Sequence, residues 1–225
     1  MSVIVEFLRQ LGPRMLNLTV EHIVLVFTAM IIAVAIALPL GVYLTRCRWP
    51  KMVSAIMGVA GVIQTIPSLA MIAFIMVIFS FLRFQTIGKT PAIVALVMYA
   101  LLPILRNTYT GIRQVDPAVV EVARGMGMTS RQVLFRVELP LSLPVIMAGI
   151  RISTVWTIGV ACLTTLIGGG GLGDLIMQGL RNIQLNLMLA GTIPAALLAI
   201  TFDWSLGRLE DWLVPPGLKQ ESRAQ

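Results

Sequence analysis

Charge is scarce in this chain: only 12% of its 225 residues are Asp, Glu, Lys or Arg, against about 25% in a soluble domain. There is one histidine, His22, and there are two cysteines, Cys47 and Cys162, far apart and outside any CxxC or Cys/His cluster. Such a set offers no metal site and no disulfide framework, and both thiols read as small buried hydrophobes. No Ser/His/Asp set or carboxylate pair is spaced for catalysis. Nor does a Gly-x4-Gly-Lys-Ser/Thr segment occur, so ATP hydrolysis is not expected here. Aromatics are also few, at 7%.

Apolar side chains take their place. They make up 57% of the sequence, with a mean hydropathy of +0.91. Surface-to-volume scaling leaves a globule of this size too much polar shell to hide them. The fold class expected is an all-α integral membrane domain of about five or six spans at about 20 residues each. The opening residues do not read as a cleaved signal, because Glu6 and Arg9 interrupt the apolar stretch.

Charge-free runs locate the spans. Residues 22–45 form the first, closed by Arg46, Arg48 and Lys51. Residues 52–82 are divided at Pro67, beside Gln64, Thr65 and Ser68. Each half is too short to cross alone, so the run reads as one broken crossing. Residues 90–105 begin the next span, which continues past Arg106 and Asn107; 141–167 and 185–202 complete five. With the amino terminus outside, twelve of the 17 Lys and Arg fall on the cytoplasmic side and five outside. That asymmetry is the positive-inside signature, and it explains the net charge of +7 without nucleic acid. Residues 1–21 read as an outer, interfacial amphipathic segment (Ile4, Phe7, Leu8, Leu11) broken at Gly12-Pro13. The membrane-spanning body is expected over 22–208, with 209–225 as a cytoplasmic tail.

The segment 114–140 has its own signals. Asp116-Pro117 starts a helix, as N-cap and first-turn proline, and Gly125 and Gly127 end it. Thr129 with Gln132 forms a capping box for a second short helix, and Leu139-Pro140 is expected to turn the chain back into the membrane. A helix pair exposing Val, Met, Leu and Phe135 is unfavourable in water unless something covers it. Spacing alone leaves a solvated loop and a docking surface equally open.

The same loop resembles that of permeases of binding-protein-dependent ATP-binding-cassette importers: Glu-Ala-Ala, three residues, Gly, nine residues, Ile, one residue, Leu-Pro. Here it reads Glu121-Val122-Ala123, then Gly127, then Val137-Glu138-Leu139-Pro140, with Val122 and Val137 as the departures. Residues 64–69 (Gln-Thr-Ile-Pro-Ser-Leu) and 105–112 (Leu-Arg-Asn-Thr-Tyr-Thr-Gly-Ile) resemble the glycine betaine, carnitine and choline subgroup. The segment 166–173, with Gly168, Gly169, Gly170 and Gly171, is similar to a wider set that includes methionine and phosphonate permeases.

That resemblance, covering roughly residues 20–208, implies a type I importer permease in a bacterial cytoplasmic (inner) membrane. It implies a coupling loop seated on a cytosolic ATPase, with Glu121, Ala123 and Gly127 at the contact and Arg124, Met126 and Met128 adjacent. ATP and Mg would bind two ATPase copies, and this chain would carry no cofactor. A second permease, identical or homologous, and an external binding protein complete the expected partners. Polar residues inside apolar runs are costly in lipid. They nominate a pathway through Gln64, Thr65, Pro67, Ser68, Asn107, Thr154 and Thr157, although helix back-bonding competes for each threonine. The glycine run is expected to be a flexible turn or gate, not a phosphate cradle. Trp156 could meet a quaternary ammonium, with packing the competing reading. Arg151 and Asp203 are expected to snorkel or pair near the cytoplasmic boundary. Other solutes, a self-sufficient channel or secondary transporter, and a membrane enzyme are the rival functions.

Overall fold

The computed structural model describes residues 2–214, with side chains from Leu11 onward. Nine α-helices account for most of it: α1 (Ser2–Arg46), α2 (Pro50–Thr65), α3 (Ser68–Phe81), α4 (Lys89–Arg113), α5 (Pro117–Gly125), α6 (Ser130–Val133), α7 (Leu139–Ala161), α8 (Gly173–Asn182) and α9 (Leu185–Leu213). A π-helical segment, Leu134–Glu138, joins α6 to α7, and a 3-10 turn, Thr164–Ile167, follows α7. Four helical runs are long and apolar enough to cross a membrane, and the pair α2 and α3, bent by 109° at Pro67, makes up to a fifth.

Small residues set the central seam. Ala29, Ala33 and Ala37 recur every fourth residue on α1 and are fully buried, as are Ala92, Ala95 and Leu96 on α4. Gly41 extends the stripe one more turn. A Cβ there would lie 2.7 Å from Thr108 Cβ, so only glycine permits this approach. In lipid, helices gain little from apolar burial against each other, and small residues let backbones pack closely instead. The bent pair is peripheral: α2 buries no residue, and α3 buries only Met71, Ile72 and Ile75.

Side-chain pairs fix the direction of each helix. Glu21 pairs with Lys89 at 3.4 Å, and Gly41 lies on Thr108, so α1 and α4 run parallel. Arg46 pairs with Glu138, and His22 Nε2 lies 3.2 Å from the Ile158 carbonyl, so α7 runs antiparallel to α1. Two parallel helices need a return passage between them. The chain from Arg46 to Lys89 therefore makes one net crossing through α2 and α3, despite the sharp bend. At about 1.5 Å per residue, the two halves are only about 24 and 21 Å long. Leu187, at the start of α9, packs with Leu18 near the Glu21 end of α1. Arg151 of α7 pairs with Asp203 and Glu210 further along α9, so α9 runs antiparallel to α7. The bundle thus has a loop end, carrying Arg46 and α5–α6, and a glycine end, carrying Glu21, Lys89 and 168–171.

Several boundaries differ from the sequence reading. The helix does not break at Gly12-Pro13: α1 continues through both, and a proline is tolerated in such a helix when neighbouring groups cover the freed carbonyl. The amphipathic residues Ile4, Phe7 and Leu8 lie outside the described side chains. Helix α7 stops at Ala161, short of 167, and α9 continues to Leu213, so residues 209–213 extend the last helix. Lys219 and Arg223 lie outside the described residues. Leu139-Pro140 makes no turn either. Residues 130–161 form one helical run, in which the Leu139 N–H reaches back five residues to the Leu134 carbonyl. The wider π turn accommodates Pro140, whose ring would collide with the carbonyl four residues earlier in a regular helix.

Candidate functional site: a surface loop, a bend and a glycine turn

Helix α5 begins where its cap predicts. Asp116 Oδ1 accepts from the Ala118 N–H at 2.8 Å, with Pro117 in the first turn. It ends at Gly125, and the chain reverses through Gly127 at φ +83°. The Thr129–Gln132 capping box is complete and opens α6. Val122 and Met126 are 62% and 70% exposed, and Phe135 is 60% exposed. Glu121, Arg124 and Gly127 are exposed beside them, and Met128 is half-buried. Together they make an apolar surface edged by both charge signs at the loop end. Ala123 is different. At 2% exposure it is buried under the loop, where its small side chain lets α5 rest on α6 and the π segment. The expected contact position therefore belongs to the loop's own packing.

A residue that sequence reasoning missed ties the loop to the bundle. Glu138, in the final position of the π segment, has a side chain only 7% exposed, and it accepts from the guanidinium of Arg46 at the end of α1. A lone acidic residue between two apolar ones is the signal that could have pointed to it.

The polar residues nominated for a pathway divide into two groups. Gln64, Thr65 and Pro67 are exposed and Ser68 half-buried at the Pro67 bend. Gln64 Nε2 donates to the Tyr99 carbonyl at 3.3 Å, and the Tyr99 hydroxyl donates to the Ile66 carbonyl. Tyr99 thus satisfies a backbone group at the break, a role its apolar surroundings hid. Thr154 and Thr157, by contrast, are 4% and 1% exposed. Thr154 donates to the Ile150 carbonyl at 2.8 Å, and Thr157 lies 3.7 Å from Met30 Sδ. Thr154 also borders an apolar cavity of about 430 Å³ between α1, α7 and α9, lined among others by Val26, Met30 and Phe202. Asn107 donates to the Pro103 carbonyl at 2.8 Å and packs where a Cβ on Gly149 would fall, 2.6 Å from its own Cβ. It is a packing residue.

At the other end, Gly168, Gly170 and Gly171 all have positive φ, between +77° and +84°. The Gly88 N–H donates to the Ile167 carbonyl at 2.6 Å, and the Gly171 N–H to Glu21 Oε2 at 3.4 Å. A Cβ on Gly171 would lie 2.9 Å from His22 Nδ1. The run is therefore a folded turn locked against α1 and the start of α4. Asp174, just beyond it in α8, has its pKa raised from the usual 3.8, first by burial and then by the charge of Glu21, while Arg14 and Arg181 pull it down.

Arg151 lies in the middle of α7, further from the loop end than its charge suggested. It makes a two-bond fork to Asp203, at 3.0 and 3.1 Å, and a third bond to Glu210 at 3.0 Å. Beside it, a cavity of about 310 Å³ is lined by Ile152, Val155, Trp156 and Asp203. Trp156 is 69% exposed. Among the described residues, no group of three or more His, Cys, Asp or Glu could hold a metal.

Comparison with known proteins places these features in a lineage. Residues 37–215 match the family model described as "Binding-protein-dependent transport system inner membrane component". The choline transport system permease protein OpuBB of Bacillus subtilis is 47% identical over 220 residues, covering 98% of both chains. The carnitine transport permease protein OpuCB of Listeria monocytogenes is 45% identical, covering 98% of this chain and 97% of its own. Among solved structures, an inward-facing MetNI methionine ABC transporter matches with a TM-score of 0.77 at 21% identity, over 87% of this chain and 94% of that one. At that identity the likeness concerns the fold alone, an all-helical importer-permease fold. With the family model spanning most of the sequence and relatives above 40% identity along nearly all of it, the chain belongs to the family of binding-protein-dependent transport system inner membrane components.

Proposed function

We propose that the chain is the membrane permease of an ATP-driven importer for small quaternary-ammonium osmoprotectants such as choline, carnitine or glycine betaine. The observation that carries the importer reading is the exposed Val122–Met126 surface of α5, flanked by Glu121 and Arg124 and continuous through the π segment with α7. A cytosolic ATPase with an apolar groove and complementary charges would cover it. The solute class is supported by relatives named for choline and carnitine transport that match along 98% of this chain.

In this reading the loop end faces the cytosol and the glycine end faces outward, as the twelve-to-five distribution of basic residues favours. ATP and Mg bind the partner ATPase, of which two copies serve two permease subunits. The pathway lies between those subunits and takes its polar lining from the Gln64–Ser68 bend. An external binding protein delivers the solute and supplies most of its selection. ATP-driven closure exchanges inward- and outward-facing arrangements of the paired spans.

Reconstitution tests this. The purified chain alone in liposomes should pass no labelled choline, whereas the chain with its ATPase and binding protein should take it up only with ATP. Flux without the ATPase would overturn the importer reading in favour of a channel or secondary transporter. Uptake of methionine or a phosphonate in place of choline, carnitine and glycine betaine would overturn the solute class alone.

A further inference from the structure

We infer that the Arg46–Glu138 ion pair is the joint through which the 114–140 loop moves α1, making both residues positioning residues for transport. This rests on the proposed role of that loop as the ATPase seat. The loop has two covalent routes into the bundle, through 114–116 to α4 and through the π segment to α7. Neither reaches α1 directly; α1 meets them only through its packing along α4 and α7. The Arg46–Glu138 pair supplies that third route, linking positions 92 residues apart in sequence.

The geometry suits a mechanical link. Glu138 ends the π segment, the one place in the 130–161 run where the helical register departs from four residues per bond. Such π turns are rare within helices and occur frequently at functional sites. Its carboxylate is 7% exposed and Arg46 is 39% exposed. A buried carboxylate that loses its cation is left uncompensated, so the pair holds firmly. Arg46 also stands in the last turn of α1, where a cation complements the helix C-terminus. Beyond it, α1 is bonded to α4 by the small-residue seam of Ala29, Ala33, Ala37 and Gly41. A displacement of the loop that carries Glu138 thus pulls α1 and α4 together. Without the pair, α1 has no direct bond to the loop and follows it only through packing on α4 and α7.

The assembled transporter in proteoliposomes tests this, with ATPase copurification, ATP hydrolysis and solute uptake measured separately. In E138Q the ATPase should still copurify and hydrolysis stay near its unaltered rate, while uptake per ATP falls about tenfold, the size of a typical coupling between linked sites. The exchange R46E/E138R should regain most of that loss, which a merely structural role would not predict. If E138Q is not recovered from membranes, E138D decides, since it keeps the charge and shortens its reach. Reduced uptake per ATP in E138D at normal abundance supports the joint; an unchanged ratio in whichever variant is recovered overturns it. Uptake and hydrolysis falling in proportion, with no rescue by the exchange, also overturns it. Failure of the ATPase to copurify with the unaltered chain would overturn the seat itself, and the joint with it.

Discussion

Gly171 answers two demands at once: a backbone φ of +84° and a Cβ position 2.9 Å from the His22 ring. An alanine there adds backbone strain of about 1–3 kcal/mol and forces α1 away from the turn. We expect G171A to lower the melting temperature of the detergent-solubilised protein more than G125A, because Gly125 has open space around its Cβ. Tyr99 offers a second residue-level test. Y99F removes the donor to the Ile66 carbonyl and should cost about 1–3 kcal/mol if that carbonyl finds no water. Thermal unfolding measures it, and unchanged stability would mean the break satisfies itself. Asp174 gives a pH dependence. Its raised pKa means that the folded state binds the proton more tightly than the unfolded chain, so its contribution to stability falls as pH rises past the usual 3.8. D174N should therefore stabilise the protein at pH 7, with the gain vanishing below pH 3.8; melting curves across pH test the sign.

Helices α5 and α6 were legible because their signals are local. Asp116-Pro117 and the Thr129–Gln132 box act within one turn, and the helices start where those residues stand. The course of the chain beyond Gln132 was not legible, since Leu139-Pro140 resembles a turn when read alone. Only the structure shows a continuous helical run into α7, with its five-residue bond at Leu139, in place of a turn. Thr129→Ala should remove about 1 kcal/mol of cap stabilisation and loosen α6. Hydrogen exchange should then rise in 129–133 and not in α5, whose cap is separate. The bend at Pro67 was legible as a break, but the Tyr99 contact at it was not, because Tyr99 comes from α4, 33 residues beyond Ile66 in the chain.

For the whole molecule, the parallel course of α1 and α4 requires an odd number of passages between them, and the bent pair provides one. Single cysteines introduced after replacing Cys47 and Cys162 test the resulting arrangement. A membrane-impermeant thiol reagent added outside intact cells should label Ile183, 88% exposed at the glycine end, and spare Ser130 at the loop end. The opposite pattern would invert the proposed orientation. The α7–α9 joint is a second global feature. R151A leaves Asp203 and Glu210 facing each other without their shared cation. It should reduce the amount of folded protein in membranes far more than D203N, which leaves the Glu210 bond in place.

The spans, the broken crossing, both loop helices and the importer-type loop can be read from the sequence alone, because apolar run length, proline position and capping act over one or two turns. Partnership across the bundle cannot. That Thr157 packs on Met30, that Asn107 lies against Gly149, and that Arg46 meets Glu138 each depend on helices far apart in the chain. The scarcity of charge told which solvent surrounds the chain and which runs cross it. Only the tertiary structure decided how those few charges pair, since in a low-dielectric bundle the position of each partner determines whether a charge is a burden or a joint.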